Sequence, residues 1–163
     1  MAKEKIPVTP ATRMLKRAKI DYIPHLYTYE ERGGTAVSAR ELQVPEHLVV
    51  KTLVMEDENG NPLLVLMHGD LEVSTKALAR AIDVKTISPC NADAAQKHTG
   101  YKVGGTSPFA TRKPLPVYME RTIQGLQTIY INGGKRGFLV ELSPQVVIDL
   151  LAPTLVDAGI KPG

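Results

Sequence analysis

The sequence predicts a single α+β domain built on a mixed, largely antiparallel curved sheet flanked by helices, and three observations carry that expectation. Apolar runs of strand length come in pairs joined by turn signals, residues 49–56 with 63–68 and residues 128–132 with 138–142. Stretches with helical spacing alternate with these pairs along the chain, which is an α+β order. Composition shifts nowhere sharply enough to mark a second domain, so residues 1–163 are read as one unit.

The elements follow in order. Thr9-Pro10 reads as an N-cap followed by proline at the first helical position, and Ala11, Met14, Leu15 and Ala18 extend a helix over 10–18. Residues 22–30 are aromatic and apolar enough for a strand after the break at Pro24, closed by Gly33-Gly34. Ala36, Ala39 and Leu42 predict a short helix over 35–42 ahead of Pro45. Asn59-Gly60 supplies the positive φ that turns the first hairpin. Ser74 caps a helix with the stripe Ala77, Leu78, Ala81 and Ile82, followed by a strand over 85–88 and a helix over 91–98 that stops at Gly100. A strand over 117–120 precedes the second hairpin, whose tip, Gly133-Gly134-Lys135-Arg136-Gly137, is basic. Ser143-Pro144 opens the last helix, with Val147, Leu150 and Leu151 inward and Pro153 past its end. Disorder is expected only at residues 1–8 and 160–163.

The 20 Lys+Arg against 17 Asp+Glu give +3, a mild bias toward anionic partners. Clusters such as Lys3/Lys5, Arg13/Lys16/Arg17/Lys19 and Lys135/Arg136 make a phosphate footprint if they face one side, and a solvated surface if they do not. The lone Cys90 excludes an internal disulfide and points to the cytoplasm. No segment has the length of a signal peptide's apolar stretch or a membrane helix, so no membrane partner is expected.

Two features carry chemistry. Lys51 shares a strand face with Val49, Leu53 and Met55, so its ammonium either snorkels to the rim or meets an anion. In Gly100-Tyr101-Lys102-Val103-Gly104-Gly105-Thr106-Ser107-Pro108, Gly104 and Gly105 let a ligand approach backbone N–H donors, Thr106 and Ser107 add hydroxyls, and Pro108 stiffens the exit. An ordinary surface turn is the competing reading, and the loop matches neither the phosphate-loop nor the dinucleotide pattern. His25, His47, His68 and His98 show no metal-ligand spacing, so no metal is expected. Cys90 sits at a helix start that would favour a thiolate, against a plain packing role. No nucleophile elbow or Ser/His/Asp arrangement is present. Lys135 and Arg136 can follow a nucleic-acid backbone or simply solvate a turn.

In this order and spacing, the Lys51-Thr52 strand, the loop from Gly100 to Pro108 and the hairpin from Gly133 to Gly137 resemble the YbaK/ProX family. These are trans-editing aminoacyl-tRNA deacylases, related to the editing domain inserted in bacterial prolyl-tRNA synthetases. The resemblance runs from Thr9 to about Leu151 and implies removal of a wrong amino acid from proline tRNA, cysteine first, with alanine and serine as alternatives. It implies that Lys51 positions the terminal adenosine or its phosphate. It also implies that the backbone of Gly104 and Gly105 holds the ester carbonyl and stabilises its oxyanion. Tyr29, Thr52, Thr106, Ser107, Pro108, Lys135 and Arg136 complete the expected substrate-binding set. Aminoacyl-tRNA is then the partner, with prolyl-tRNA synthetase a second one, and neither a cofactor nor DNA is expected. For a cysteinyl substrate the substrate's own thiol attacks the ester, which would account for the missing nucleophile. Leu139 departs from the cysteine-type pattern, which has aspartate there, and the loop after Glu30 is short. The rival from another class is a module that binds tRNA ends or a synthetase without turnover.

Overall fold

The structure is a computed structural model, and it describes residues 5–163; Lys3 and the start of the predicted disordered segment lie outside the described residues. The chain opens with α1 (Pro10–Arg17), where Thr9 and Thr12 cap reciprocally. Thr9 Oγ1 accepts the Thr12 N–H at 3.0 Å and Thr12 Oγ1 accepts the Thr9 N–H at 2.8 Å. Lys16 and Arg17 in its last turn suit the negative end of the helix dipole.

There follow β1 (Ile23–Leu26), α2 (Gly34–Leu42), β2 (Val49–Asp57), β3 (Pro62–His68) and β4 (Glu72–Val73). The middle of the chain forms α3 (Thr75–Ala81), β5 (Ile87–Pro89), α4 (Ala92–Thr99) and β6 (Val117–Glu120). The last part forms β7 (Ile129–Lys135), β8 (Phe138–Leu142), α5 (Pro144–Leu151), β9 (Thr154–Val156) and β10 (Gly159–Ile160). The main sheet runs β1-β8-β7-β2-β3-β6-β9, with β5 paired to the far end of β2; β4 and β10 make a separate ribbon. Its β2–β7, β3–β6 and β6–β9 pairings are parallel and the others antiparallel, so the mixed α+β expectation holds.

The central strand β3 is buried on both faces, which is why it reads as a continuous apolar run. Leu66 packs with Leu15 of α1, Val147 of α5, Phe109 and Phe138 on one side. Val65 and Met67 pack with Leu78 of α3, Ile87 and Val156 on the other. Each fully buried leucine contributes about 2 kcal/mol of transfer free energy.

The departures from expectation are local. The first strand ends at Leu26, not Glu30: Tyr27 gives its N–H to Gly137 O at 2.9 Å and the chain then leaves the sheet. The strand expected over 85–88 is Ile87–Pro89, paired to Met55, Glu56 and Asp57. Ile160, expected in a disordered tail, pairs with Glu72. The second hairpin is tighter than expected, because β7 continues through Gly133 and Gly134 to pair Lys135 with Phe138, with a register shift between Asn132 and Lys135. The glycine pair is therefore a bulge inside the strand, and only Arg136 and Gly137 make the turn. Among the described residues no helix is long and apolar enough to cross a membrane.

Candidate active site

Residues 49–55 of β2 line a pocket of about 670 Å³. The segment after β1 contributes Tyr27 and Tyr29, and the approach to α2 with its first turn contributes Arg32, Thr35 and Ser38. Cys90 and Ala95 close the end nearest α4, Leu139 of β8 adds an apolar wall, and Val103, Gly104 and Thr106 face them from the glycine-rich loop.

Lys51 is the half-buried cation of this pocket. Its ammonium donates to Gly69 O at 3.4 Å and makes no ion pair among the described residues. Burial pushes its pKa below the ordinary 10.5, while Glu46, Glu72 and Asp70 pull in the opposite direction. Thr35 packs beside it, its hydroxyl 2.7 Å from Glu46 Oε2 and 3.2 Å from Gly69 O. A lysine held in place by one carbonyl, with donors left over, is suited to an anionic or oxygen-rich ligand.

The glycine-rich loop is wedged between Tyr29 and the second hairpin. Gly104 has φ +88°, and a Cβ there would come 2.6 Å from Tyr29 Oη. A Cβ on Gly105 would come 2.7 Å from the backbone nitrogen of Arg136. Asn132, at the bulge of β7, ties the two segments together. Its Oδ1 accepts the N–H groups of Gly134 at 2.7 Å and Lys135 at 3.1 Å, and its Nδ2 donates to Gly104 O at 3.2 Å. Arg136 adds a second tie, with Nε donating to Val103 O at 2.9 Å and the guanidinium 5.0 Å above the Tyr29 ring.

Of the residues expected from sequence, Tyr29, Lys51, Thr52, Gly104, Thr106 and Arg136 line this one pocket. Gly105, Ser107 and Pro108 lie buried behind the lining, and Lys135 faces a different groove. The Gly105 N–H is committed to Lys102 O at 2.8 Å, whereas the N–H groups of Gly104 and Thr106 have no protein acceptor among the described residues. Ser107 is fully buried and its Oγ accepts the Phe109 N–H, so its hydroxyl serves the loop. Tyr101 anchors the same loop by donating to Phe109 O at 2.7 Å, and burial pushes its pKa up to about 12. Thr52 Oγ1 is buried with no hydrogen-bond partner among the described residues.

No protein nucleophile is activated here. Burial, and then the neighbouring Glu56, push the Cys90 thiol up, against the thiolate reading. No histidine lines the pocket and the one acid is Glu31. Two of the four histidines pair elsewhere: His47 stacks on His68 at 3.8 Å between ring centroids and bonds Asp70 at 2.9 Å. This group was invisible in sequence spacing. The buried His68 bonds His47 O and Thr122 Oγ1, which uses both of its nitrogens, and burial lowers its pKa so that it is held neutral.

Sequence reading missed Asn132, Thr35 and Arg32. For Asn132 a signal existed, since asparagine before Gly-Gly is a side-chain-to-backbone turn former. Nothing in the sequence tells which distant carbonyl its amide will reach.

Comparison with known proteins identifies the family and the fold. The aminoacyl-tRNA editing domain profile matches residues 30–150. EbsC of Enterococcus faecalis, described as a candidate Cys-tRNA(Pro)/Cys-tRNA(Cys) deacylase, is 31% identical over 92% of this chain and 93% of its own. The proline–tRNA ligase of Brachyspira hyodysenteriae is 24% identical over 53% of this chain, which corresponds to 15% of the ligase. The crystal structure of a candidate trans-editing enzyme for prolyl-tRNA synthetase superposes with a TM-score of 0.81 at 20% identity, covering 96% of this chain and all of that one, and so has the same fold. The chain belongs to the aminoacyl-tRNA editing domain family.

Proposed function

We propose that this protein is a trans-editing deacylase that removes cysteine from mischarged proline tRNA. The observation that carries this reading is the half-buried, unpaired Lys51 in the same pocket as the free N–H groups of Gly104 and Thr106. Lys51 holds the terminal adenosine or its phosphate, and the two amides receive the ester carbonyl as it becomes an oxyanion. Thr52 Oγ1, without a protein partner, supplies a further hydrogen bond to the bound substrate. Gly105 has a different task from the one expected of it: it lets the loop touch Arg136, and Gly104 and Thr106 do the donating.

With no activated nucleophile in the pocket, the substrate's thiol attacks its own ester carbonyl. The carbon–sulfur bond forms, the carbon–oxygen bond to the ribose breaks, and the thiol proton passes to the departing ribose oxygen, giving a thiolactone and free tRNA. Holding sulfur and carbonyl in attack geometry accounts for a large share of such a rate. Leu139, 4% exposed, supports a second substrate reading. With an apolar wall where cysteine-type members carry aspartate, the pocket also suits an alanyl ester attacked by water, and a seryl ester less well.

The test is deacylation of proline tRNA charged separately with cysteine, alanine and proline, against a no-enzyme control. Loss of the cysteinyl ester with the prolyl ester spared is the expected result. Loss of the alanyl ester alone would move the specificity to alanine, and no loss above control for any of the three would defeat the proposal.

A further inference from the structure

The hairpin turn has a second side that the pocket does not use. There Lys5, Pro7, Leu26, Tyr27, Lys135 and Arg136 line an open groove of about 460 Å³, with three cations and no acid among the described residues. Its two walls are fastened to each other. Thr9, the cap of α1, donates its hydroxyl to Gly133 O at 2.5 Å, which holds the segment carrying Lys5 against the bulge that precedes Lys135. Groove and pocket also meet, since Tyr27 and Arg136 line both. Arg136 spends its Nε–H on Val103 O and has its remaining N–H donors to offer an anion passing over it. A cationic groove that opens onto a pocket is a track for the phosphates of a single strand whose end lies in that pocket.

We propose that this groove binds the backbone phosphates of the unpaired RNA end just before the nucleotide held in the pocket, with Lys5 and Lys135 on opposite sides of the strand and Arg136 at the crossing point. The proposal rests on the reading that an RNA 3′ end occupies the pocket. It assigns Lys5, which the sequence offered only as part of a basic cluster, a direct role in substrate binding, and it fixes the direction in which the RNA leaves.

The probe is uncharged proline tRNA, so that binding is read independently of deacylation. Its affinity is followed by fluorescence anisotropy across salt concentrations for wild type, Lys5→Glu, Lys135→Glu and the control Lys76→Glu, an exposed residue of α3 outside both cavities. Lys5→Glu and Lys135→Glu should each weaken binding by roughly fivefold or more and reduce the log–log salt slope by about 0.7, the value of one single-strand phosphate contact. Lys76→Glu, with the same change in net charge, should stay within about twofold of wild type. Equal shifts for Lys5→Glu and Lys76→Glu would overturn the groove, as would an unchanged salt slope or a wild type that binds no tRNA. Deacylation is measured on the same samples. A wild type that binds through the groove yet cleaves no ester would defeat the proposed function and leave the groove standing.

Discussion

The molecule contains two hairpins with similar local signals and opposite fates. In the β2–β3 hairpin Asp57 turns inward on the turn itself, while Glu58 reaches out to accept the Lys85 N–H at 3.0 Å. Asp57 accepts the Asn61 N–H at 3.0 Å, the Asn61 side-chain amide at 3.1 Å and the Asn59 N–H at 2.9 Å, and these bonds hold its carboxyl below the usual carboxylate value. In the β7–β8 hairpin the equivalent groups reach outward. Asn132 and Arg136 bond the glycine-rich loop, and Thr9 bonds Gly133. The bulge makes the difference: two extra residues in β7 twist the strand end toward the loop and leave Asn132 bridging two segments. The first turn is held mainly by its own Asp57 and stays a connector, while the second is tied to the glycine-rich loop and frames the pocket.

Substitutions at matched positions test that contrast. The largest effect is expected at Gly105→Ala, where the new methyl meets the Arg136 backbone and must push the loop off the hairpin. Deacylation should fall by about 100-fold or more, in keeping with the loss of positioned oxyanion donors. Gly60→Ala in the first hairpin has open space around it and a φ of +75°. It should cost about 1 kcal/mol of stability and no activity. Thermal melts alongside single-turnover rates separate the two, and equal activity losses would erase the contrast.

Asn132→Ala comes next. It removes the tie to Gly104 O and the acceptor for two N–H groups at the bulge, so kcat should fall by about tenfold with KM for tRNA little changed. Asp57→Ala, its counterpart in the first hairpin, should lower stability at neutral pH and spare both constants. A rise in KM without a change in kcat for Asn132→Ala would make it a binding residue and not a positioning one.

Arg136→Lys keeps the charge and loses the guanidinium contact with the Tyr29 ring and the Nε bond to Val103. About a threefold loss in kcat/KM is expected, the worth of an exposed cation–π contact.

The smallest effect at neutral pH lies in the titration of Lys51 on β2, the strand shared with the first hairpin. In the proposed function its charged form is the one that binds, and burial lowers its pKa. Enzymatic kcat/KM should therefore decline as pH rises through a value below 10.5, once spontaneous ester hydrolysis is subtracted. A rate that climbs with hydroxide across that range would mean that no protonated lysine is needed.

These positions also mark where the sequence stops being legible. Both hairpins, the five α-helices among the described residues and the caps at Thr9, Ser74 and Ser143 follow from local chemistry and were readable. The bulge was not, because Gly133-Gly134 fits a loop as well as a strand until Phe138 finds Lys135 across the ladder. The strands β9 and β10 were missed because they are three and two residues long and owe their existence to pairing with β6 and β4. At the site, Lys51 and Gly104 stood out as a cation on an apolar face and a glycine beside a glycine. That Gly105 serves contact with Arg136 while its N–H goes to Lys102 depends on a neighbour some thirty residues away, which no local pattern encodes.

The most direct measurement of the central claim is single-turnover deacylation of Cys-tRNA(Pro) by wild type and Lys51→Ala, with folding of the variant verified by circular dichroism and thermal melting. The account predicts a folded variant that deacylates at least about 100-fold more slowly than wild type, the ester being held by a pocket without its cation. A folded Lys51→Ala that cleaves at the wild-type rate would place the chemistry elsewhere.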